Sequence, residues 1–206
     1  MKKKIIIYTL IALLVLLVVA LVIFKIKNGK LPILEKNNPE RKADVTYSLT
    51  TKEMNGVKFL VTTETLEGKP DVIKIKPEGY TKNSNPQTVN IKGGEIRKVE
   101  ISDLDNDSFP ELFIYVYAKG NAKNYGYPLI YSSNKKWSMG DVEVLETDPY
   151  AVDADAKYDG EDEFKIVDRK FVHTHKLNNG KKRQTIYEMD SETKPKQLKP
   201  IDIRDI

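Results

Sequence analysis

From about residue 45 onward, short runs of apolar residues alternate with polar ones and are broken by Gly, Pro, Asn and Asp. An alternation of period two places one face of a segment on a core and the other in water, the pattern of a half-buried strand. It predicts strands over Val45 to Thr50 and Val57 to Leu66, hinged at Met54-Asn55-Gly56, where Asn-Gly readily takes the positive φ of a hairpin turn. Further strands are predicted at Val72 to Ile75, Thr88 to Ile91 and Glu95 to Ile101, with a loop between Pro77 and Gln87. Glu111 to Tyr117 differs from all of these. Leu112, Ile114 and Val116 alternate there with Phe113, Tyr115 and Tyr117, so both faces are apolar and the strand is expected to be covered on both sides. The pattern continues with a strand at Pro128 to Tyr131 and another at Asp141 to Glu146. Asp148-Pro149 has the form of a helix start, for one short helix through Ala156. Strands resume at Glu163 to Asp168, Lys170 to Leu177 and Lys182 to Met189, and residues 191 to 206, with Pro195 and Pro200, read as a tail. No sustained period of 3.6 appears beyond the N-terminus. The fold class is therefore all-β, an antiparallel β-sandwich spanning residues 43 to 190.

One segment has no alternation at all. Lys2-Lys3-Lys4 precedes an uncharged apolar run from Ile5 to Phe24. At a rise of about 1.5 Å per residue, such a run matches the roughly 30 Å hydrocarbon core of a bilayer. Leu-Val-Ile-Phe after Ala20 is a poor cleavage site, and no cysteine is present for lipid attachment. The expectation is an uncleaved transmembrane helix within residues 1 to 27, then a Pro-, Asn- and charge-rich linker over residues 28 to 42. The short N-terminal tail favours an orientation with the domain outside the cytoplasm.

Charge changes the picture by its distribution. The net charge is 34 − 30 = +4, but residues 1 to 42 hold 9 basic and 2 acidic side chains, leaving 25 − 28 = −3 for the remainder. A mildly acidic domain argues against nucleic acid, which is bound through clustered Lys and Arg. Between Asp141 and Glu163 there are ten acidic side chains against Lys157, a field that would steer a basic partner. With no cysteine there is no disulfide framework and no thiol nucleophile.

Two loops flank the strand at Glu111 to Tyr117. The first sets Asp103, Asp105 and Asp107 at alternate positions, and with Glu111 these are oxygen ligands of the type that calcium takes. Ser108 stands where an EF-hand needs Gly, so an EF-hand is excluded. An Asp-rich turn satisfied by its own backbone N–H groups is the favoured reading over calcium. The second loop carries Gly120, Ala122, Lys123, Asn124, Tyr125 and Gly126 with no apolar periodicity, which makes Tyr125 a displayed aromatic and a binding candidate. His173 and His175 share a strand face as a metal pair would. They are the only histidines, and without a third ligand they read as ordinary strand residues.

The run DLDNDSFPELFIYV, the loop ending in Asn124-Tyr125-Gly126, PLIYSSN, Trp137-Ser138-Met139 and GEDEF from Gly160 to Phe164 together resemble the periplasmic inhibitors of invertebrate-type lysozyme. The resemblance covers roughly Thr46 to Met189 and is most specific between Asp103 and Asn134. It implies a β-sandwich that pushes the loop before PLIYSSN into the active-site cleft of a lysozyme. The family's loop tip reads Ser-Gly-x-Tyr, with Ser and Tyr making the inhibitory contacts. The matching positions here are Ala122, Lys123, Asn124 and Tyr125, so the Tyr is kept and the Ser and Gly are replaced.

The expectation is thus a lysozyme inhibitor tethered to the inner membrane through residues 5 to 24 and facing the periplasm, with no cofactor and with a homodimer left open. A cell-surface module binding a polysaccharide or an adhesion partner, with calcium support at Asp103, Asp105, Asp107 and Glu111, is the second reading. An enzyme is the least supported class: no nucleophile elbow, phosphate-binding glycine loop or His-Glu-x-x-His helix is present.

Overall fold

The computed structural model describes residues 44–65, 71–120, 123–146 and 156–206, which belong to the compact unit Lys42–Ile206. The expected membrane segment and linker lie outside the described residues. So does the span to Asp155 of the helix expected from Asp148. Among the described residues the chain is all-β, and no helix there is long and apolar enough to cross a membrane.

The first sheet contains β1 (Asp44–Thr50), β2 (Lys58–Thr65), β3 (Val72–Glu78) and β4 (Gln87–Asn90) in sequence order. Between β1 and β2, Asn55 and Gly56 take φ of 50° and 76°, and Met54 and Val57 exchange both backbone hydrogen bonds at 2.9 and 3.0 Å, the two-residue turn expected of Asn-Gly. Alternation then sets the buried face. Phe59 and Val61 of β2 and Ile73 and Ile75 of β3 point the same way and are fully buried.

The second sheet contains β5 (Gly94–Ser102), β6 (Glu111–Ala118), β7 (Gly126–Asn134), β8 (Ser138–Val144), β9 (Glu163–Val167), β10 (Lys170–Lys176), β11 (Lys182–Asp190) and β12 (Lys196–Asp205). Its order is β5-β6-β7-β8-β12-β11-β10-β9. All its pairs are antiparallel except β8 with β12, which run parallel over Lys196, Gln197 and Leu198.

Strand β6 is covered on both sides, as its two apolar faces predict. Leu112, Ile114 and Val116 pack with Phe59, Val61, Ile73 and Ile75 of the first sheet. Phe113 and Tyr115 face the other way, into a cluster with Phe171 of β10, Tyr187 and Met189 of β11 and Leu198 of β12. The eight-stranded sheet therefore doubles back so that β10 and β11 lie over β6. Rings make the contact: Phe113 stacks on Phe171 at 5.8 Å and Tyr115 on Phe164 at 5.4 Å. A buried hydrogen bond of 2.7 Å between the hydroxyls of Tyr80, just after β3, and Ser133 of β7 ties the two sheets together.

Residues 196 to 205 are not a tail but a ten-residue strand. Two things reconcile it with its prolines. Pro195 precedes the first paired residue, and Pro200 sits where the register with β11 shifts between Ile186 and Tyr187, beyond the three residues paired to β8. A bulge on a stretch with one open side is where proline's missing N–H costs least.

Candidate functional site

The loop between β6 and β7 is held from behind. Ala118 N–H donates to the Tyr125 carbonyl at 2.9 Å, closing the loop's mouth. The segment before β9 then lies along its rear: Glu161 N–H donates to the Lys123 carbonyl at 2.5 Å and Asp162 N–H to the Asn124 carbonyl at 3.2 Å. Gly160 permits this approach. Its φ is 83°, and a Cβ there would lie 2.5 Å from the Lys123 carbonyl oxygen and 2.9 Å from the Tyr125 ring. On the opposite flank, Arg97 Nη1 donates to Asn124 Oδ1 at 2.8 Å while its guanidinium lies 4.4 Å above the Tyr117 ring. Lys123 pairs with Asp159.

Lys123 and Asn124 are exposed at the tip, whereas Tyr125 is half-buried. Its ring meets that of Tyr158 at 5.6 Å. Tyr125 has no apolar partner close by in sequence; Tyr158 reaches it from far along the chain. Ala122 lies outside the described residues.

Beneath the loop is a cluster that composition alone did not reveal. Asp168 and Arg169 take φ of 48° and 57° in the two-residue turn between β9 and β10, which pairs Val167 with Lys170 and Glu163 with Thr174. One step further along this register, Asp162 comes level with His175, and alternation puts His173 on the same face. A carboxylate oxygen of Asp162 and one ring nitrogen from each histidine lie within 4.8 Å of one another. Asp162 is buried. One oxygen contacts His173 Nε2 at 2.7 Å; the other accepts from Gly126 N–H at 2.8 Å and from the Tyr158 hydroxyl. Burial works to raise the carboxyl pKa, but these hydrogen bonds outweigh it and hold Asp162 below its ordinary value. His175 goes the other way. Burial and the neighbouring His173 push it down to about 4, so the imidazole is neutral, and its buried Nδ1 has no hydrogen-bond partner.

The Asp-rich loop before β6 is organised differently. Asp107 and Ser108 N–H donate to the Asp103 carboxylate at 3.0 and 3.1 Å, and Phe109 N–H donates to Asp107 at 2.8 Å. Glu111, fully buried at the start of β6, accepts from Leu104 N–H and from the Ser132 hydroxyl, each at 2.8 Å. The remaining negative charge is met by Lys196 of β12. Its ammonium lies 2.5 Å from Asp105, 3.5 Å from Asp107 and 3.9 Å from Glu111. Burial disfavours the Lys196 charge, but the three carboxylates outweigh it and raise its pKa. Burial also pushes Glu111 up to about 7. Asp103, Asp105 and Glu111 carry oxygens close enough to share an ion, yet a protein ammonium already stands among these carboxylates.

No family model, curated protein or solved structure matches the chain. Geometry therefore carries the reading. Of the residues singled out from sequence, Lys123 to Gly126 converge on one edge and Asp103 to Glu111 form a separate ion-pair network. Gly160, Asp162, Tyr158 and Arg97 were not singled out as site residues, although Gly160 to Phe164 belongs to the motif set that resembles the inhibitor family. The register set by the turn at Asp168-Arg169 was the signal that could have placed Asp162 beside the histidines.

Proposed function

We propose that the protein is a lysozyme inhibitor, a β-sandwich that inserts the loop ending at Tyr125 into the enzyme's sugar cleft. The observation that carries this reading is the clamp of Gly160, Glu161 and Asp162 on the back of the loop. Two backbone hydrogen bonds and a glycine-only approach fix Lys123 and Asn124 before any partner arrives. An inhibitor needs this, because conformational freedom already removed is not lost on binding. The clamp joins two separate parts of the sequence resemblance, the Asn-Tyr-Gly loop and the Gly-Glu-Asp motif. The tip also suits its target: glycoside hydrolases flank the scissile bond with two carboxyl groups, and Lys123 brings a cation on the advancing edge. On insertion, the lysine would exchange its Asp159 partner for one of these.

The test is inhibition of a panel of lysozymes by residues 42 to 206, which carry both core clusters. Inhibition of an invertebrate-type enzyme is expected. No inhibition of any lysozyme type would overturn the reading.

A second reading, a carbohydrate-binding surface, is favoured by one observation. Tyr158 and Tyr127 are 49% and 44% exposed, and Tyr125 and Tyr127 line a shallow depression of about 210 Å³ with Gly93 and Gly94. Exposed rings of this kind stack on sugars. Retention on insoluble peptidoglycan without inhibition of any lysozyme would select it.

A further inference from the structure

We infer that Asp162, His173 and His175 form a binding site for a divalent transition-metal ion of the zinc class, set directly beneath the loop that ends at Tyr125. Two imidazoles and one carboxylate are the donor set that such ions prefer over calcium or magnesium, which take oxygen ligands. The three donors already lie within 4.8 Å of one another. Bonds of about 2.0–2.2 Å would need only modest rearrangement of the three donors.

Three independent features point to a ligand rather than to a chance meeting of side chains. First, the buried Nδ1 of His175 has no hydrogen-bond partner. A buried polar atom left without a partner is costly, and binding a metal ion is one way an imidazole nitrogen gains one. Second, Asp162 is oriented in advance. Gly126 N–H and the Tyr158 hydroxyl hold its second oxygen, leaving the first facing His173, and outer hydrogen bonds of this kind fix metal-binding carboxylates in other proteins. Third, the site is reachable. The His173 side chain is 22% exposed while that of Asp162 is 1% exposed, so an ion can enter from the His173 side.

The groups facing the cluster from the surrounding elements are the rings of Phe164, at 4.8 Å from His173, and Tyr158, at 5.2 Å from His175, and the Arg183–Asp205 ion pair, whose opposite charges both act on His175. The Asp162 carboxylate is bonded by His173, Gly126 N–H and the Tyr158 hydroxyl. Contrast the Asp-rich loop, where Lys196 already supplies a cation. Binding would also reach the loop: the carboxylate that holds the ion holds Gly126 N–H, the first residue of β7.

The experiment uses the full chain in mild detergent, without a polyhistidine tag, titrated with cobalt(II) chloride and then zinc chloride. One equivalent of cobalt should produce visible d–d absorption that zinc abolishes. Zinc at about a hundredfold over its dissociation constant should raise the melting temperature by roughly 5–10 °C, reversed by EDTA. His173→Gln and His175→Gln should each remove the cobalt band, and Asp103→Asn should keep it. Cobalt spectra of the unmodified chain decide the matter even where a histidine variant folds poorly. Absence of the band, or a zinc response that survives both histidine changes, would overturn the site. Equal stabilisation by calcium chloride would do so too, because it would assign the response to oxygen ligands elsewhere.

Discussion

At the scale of single residues, Tyr125 and Glu111 make separable claims. Tyr125 touches Tyr158 at 5.6 Å and is half-buried, so removing its ring costs an aromatic contact of about 1 kcal/mol. As a central aromatic anchor in a lysozyme cleft it would carry about 2 kcal/mol or more of binding. Tyr125→Ala should therefore weaken inhibition roughly thirtyfold or more, while urea unfolding shows only the smaller loss. Equal losses in both measurements would make the ring a packing residue. Restoring the hydroxyl of the resembling family with Ala122→Ser should tighten inhibition by about 0.5–1.5 kcal/mol if it finds a hydrogen bond in the cleft. Glu111 makes a claim about pH. Burial raises its folded pKa to about 7 from an ordinary 4.5. The native state thus binds a proton that the unfolded chain has released, and the stability it contributes below pH 4.5 is lost as pH rises toward 7. The loss is about 3 kcal/mol at about 1.4 kcal/mol per unit. Asp162, held low, changes stability only below this window. His175, pushed down to about 4 from an ordinary 6.5, works the opposite way within it, because the unfolded chain binds the proton that the native state has released. The test is therefore a difference: between about pH 5 and about pH 7.5, urea unfolding should change less favourably in the unmodified protein than in Glu111→Gln, by about 2 kcal/mol. The same pH dependence in both proteins would remove Glu111 from the account.

At the scale of elements, periodicity read well wherever burial followed from local pattern. β6 announces itself because Leu112, Ile114 and Val116 and the opposed Phe113, Tyr115 and Tyr117 leave no polar face, and Asn55-Gly56 fixes its hairpin by φ alone. β12 was illegible for a physical reason: Pro200 forbids an ordinary ladder position, and the bulge that accommodates it is a property of the pairing with β11, not of the residues themselves. The cluster beneath the loop was hidden similarly. His173 and His175 are neighbours on one strand, but Asp162 meets them only through the register of the β9 to β10 turn. β12 should be indispensable. Leu198 is fully buried, so Leu198→Ala should cost about 2–5 kcal/mol. Lys196→Met, which leaves Asp105 and Glu111 without their cation, should cost about 3 kcal/mol. Chemical denaturation checks both, and a change under 1 kcal/mol in each would return residues 196 to 205 to the status of an appendage.

At the scale of the whole molecule, the apolar run from Ile5 to Phe24 predicts where the domain resides. The full chain should stay with the membrane fraction through high-salt and carbonate washes, and protease added outside a cell stripped of its outer layer should digest the domain. Recovery of a soluble form beginning near Leu21 would instead make the run a removed leader. Within the domain, the parallel pairing of β8 with β12 has a consequence for synthesis. β8 ends at Val144, its neighbour begins at Lys196, and β9, β10 and β11 come between. Hairpins on either side can zip as they emerge, since each needs only a local turn, but the β8 edge has to wait for a strand that is made later. Until it arrives, a row of backbone donors and acceptors stands open to any passing strand. A chain released before Lys196 should therefore aggregate where one that carries β12 does not, because only the delivery of that strand closes the β8 edge.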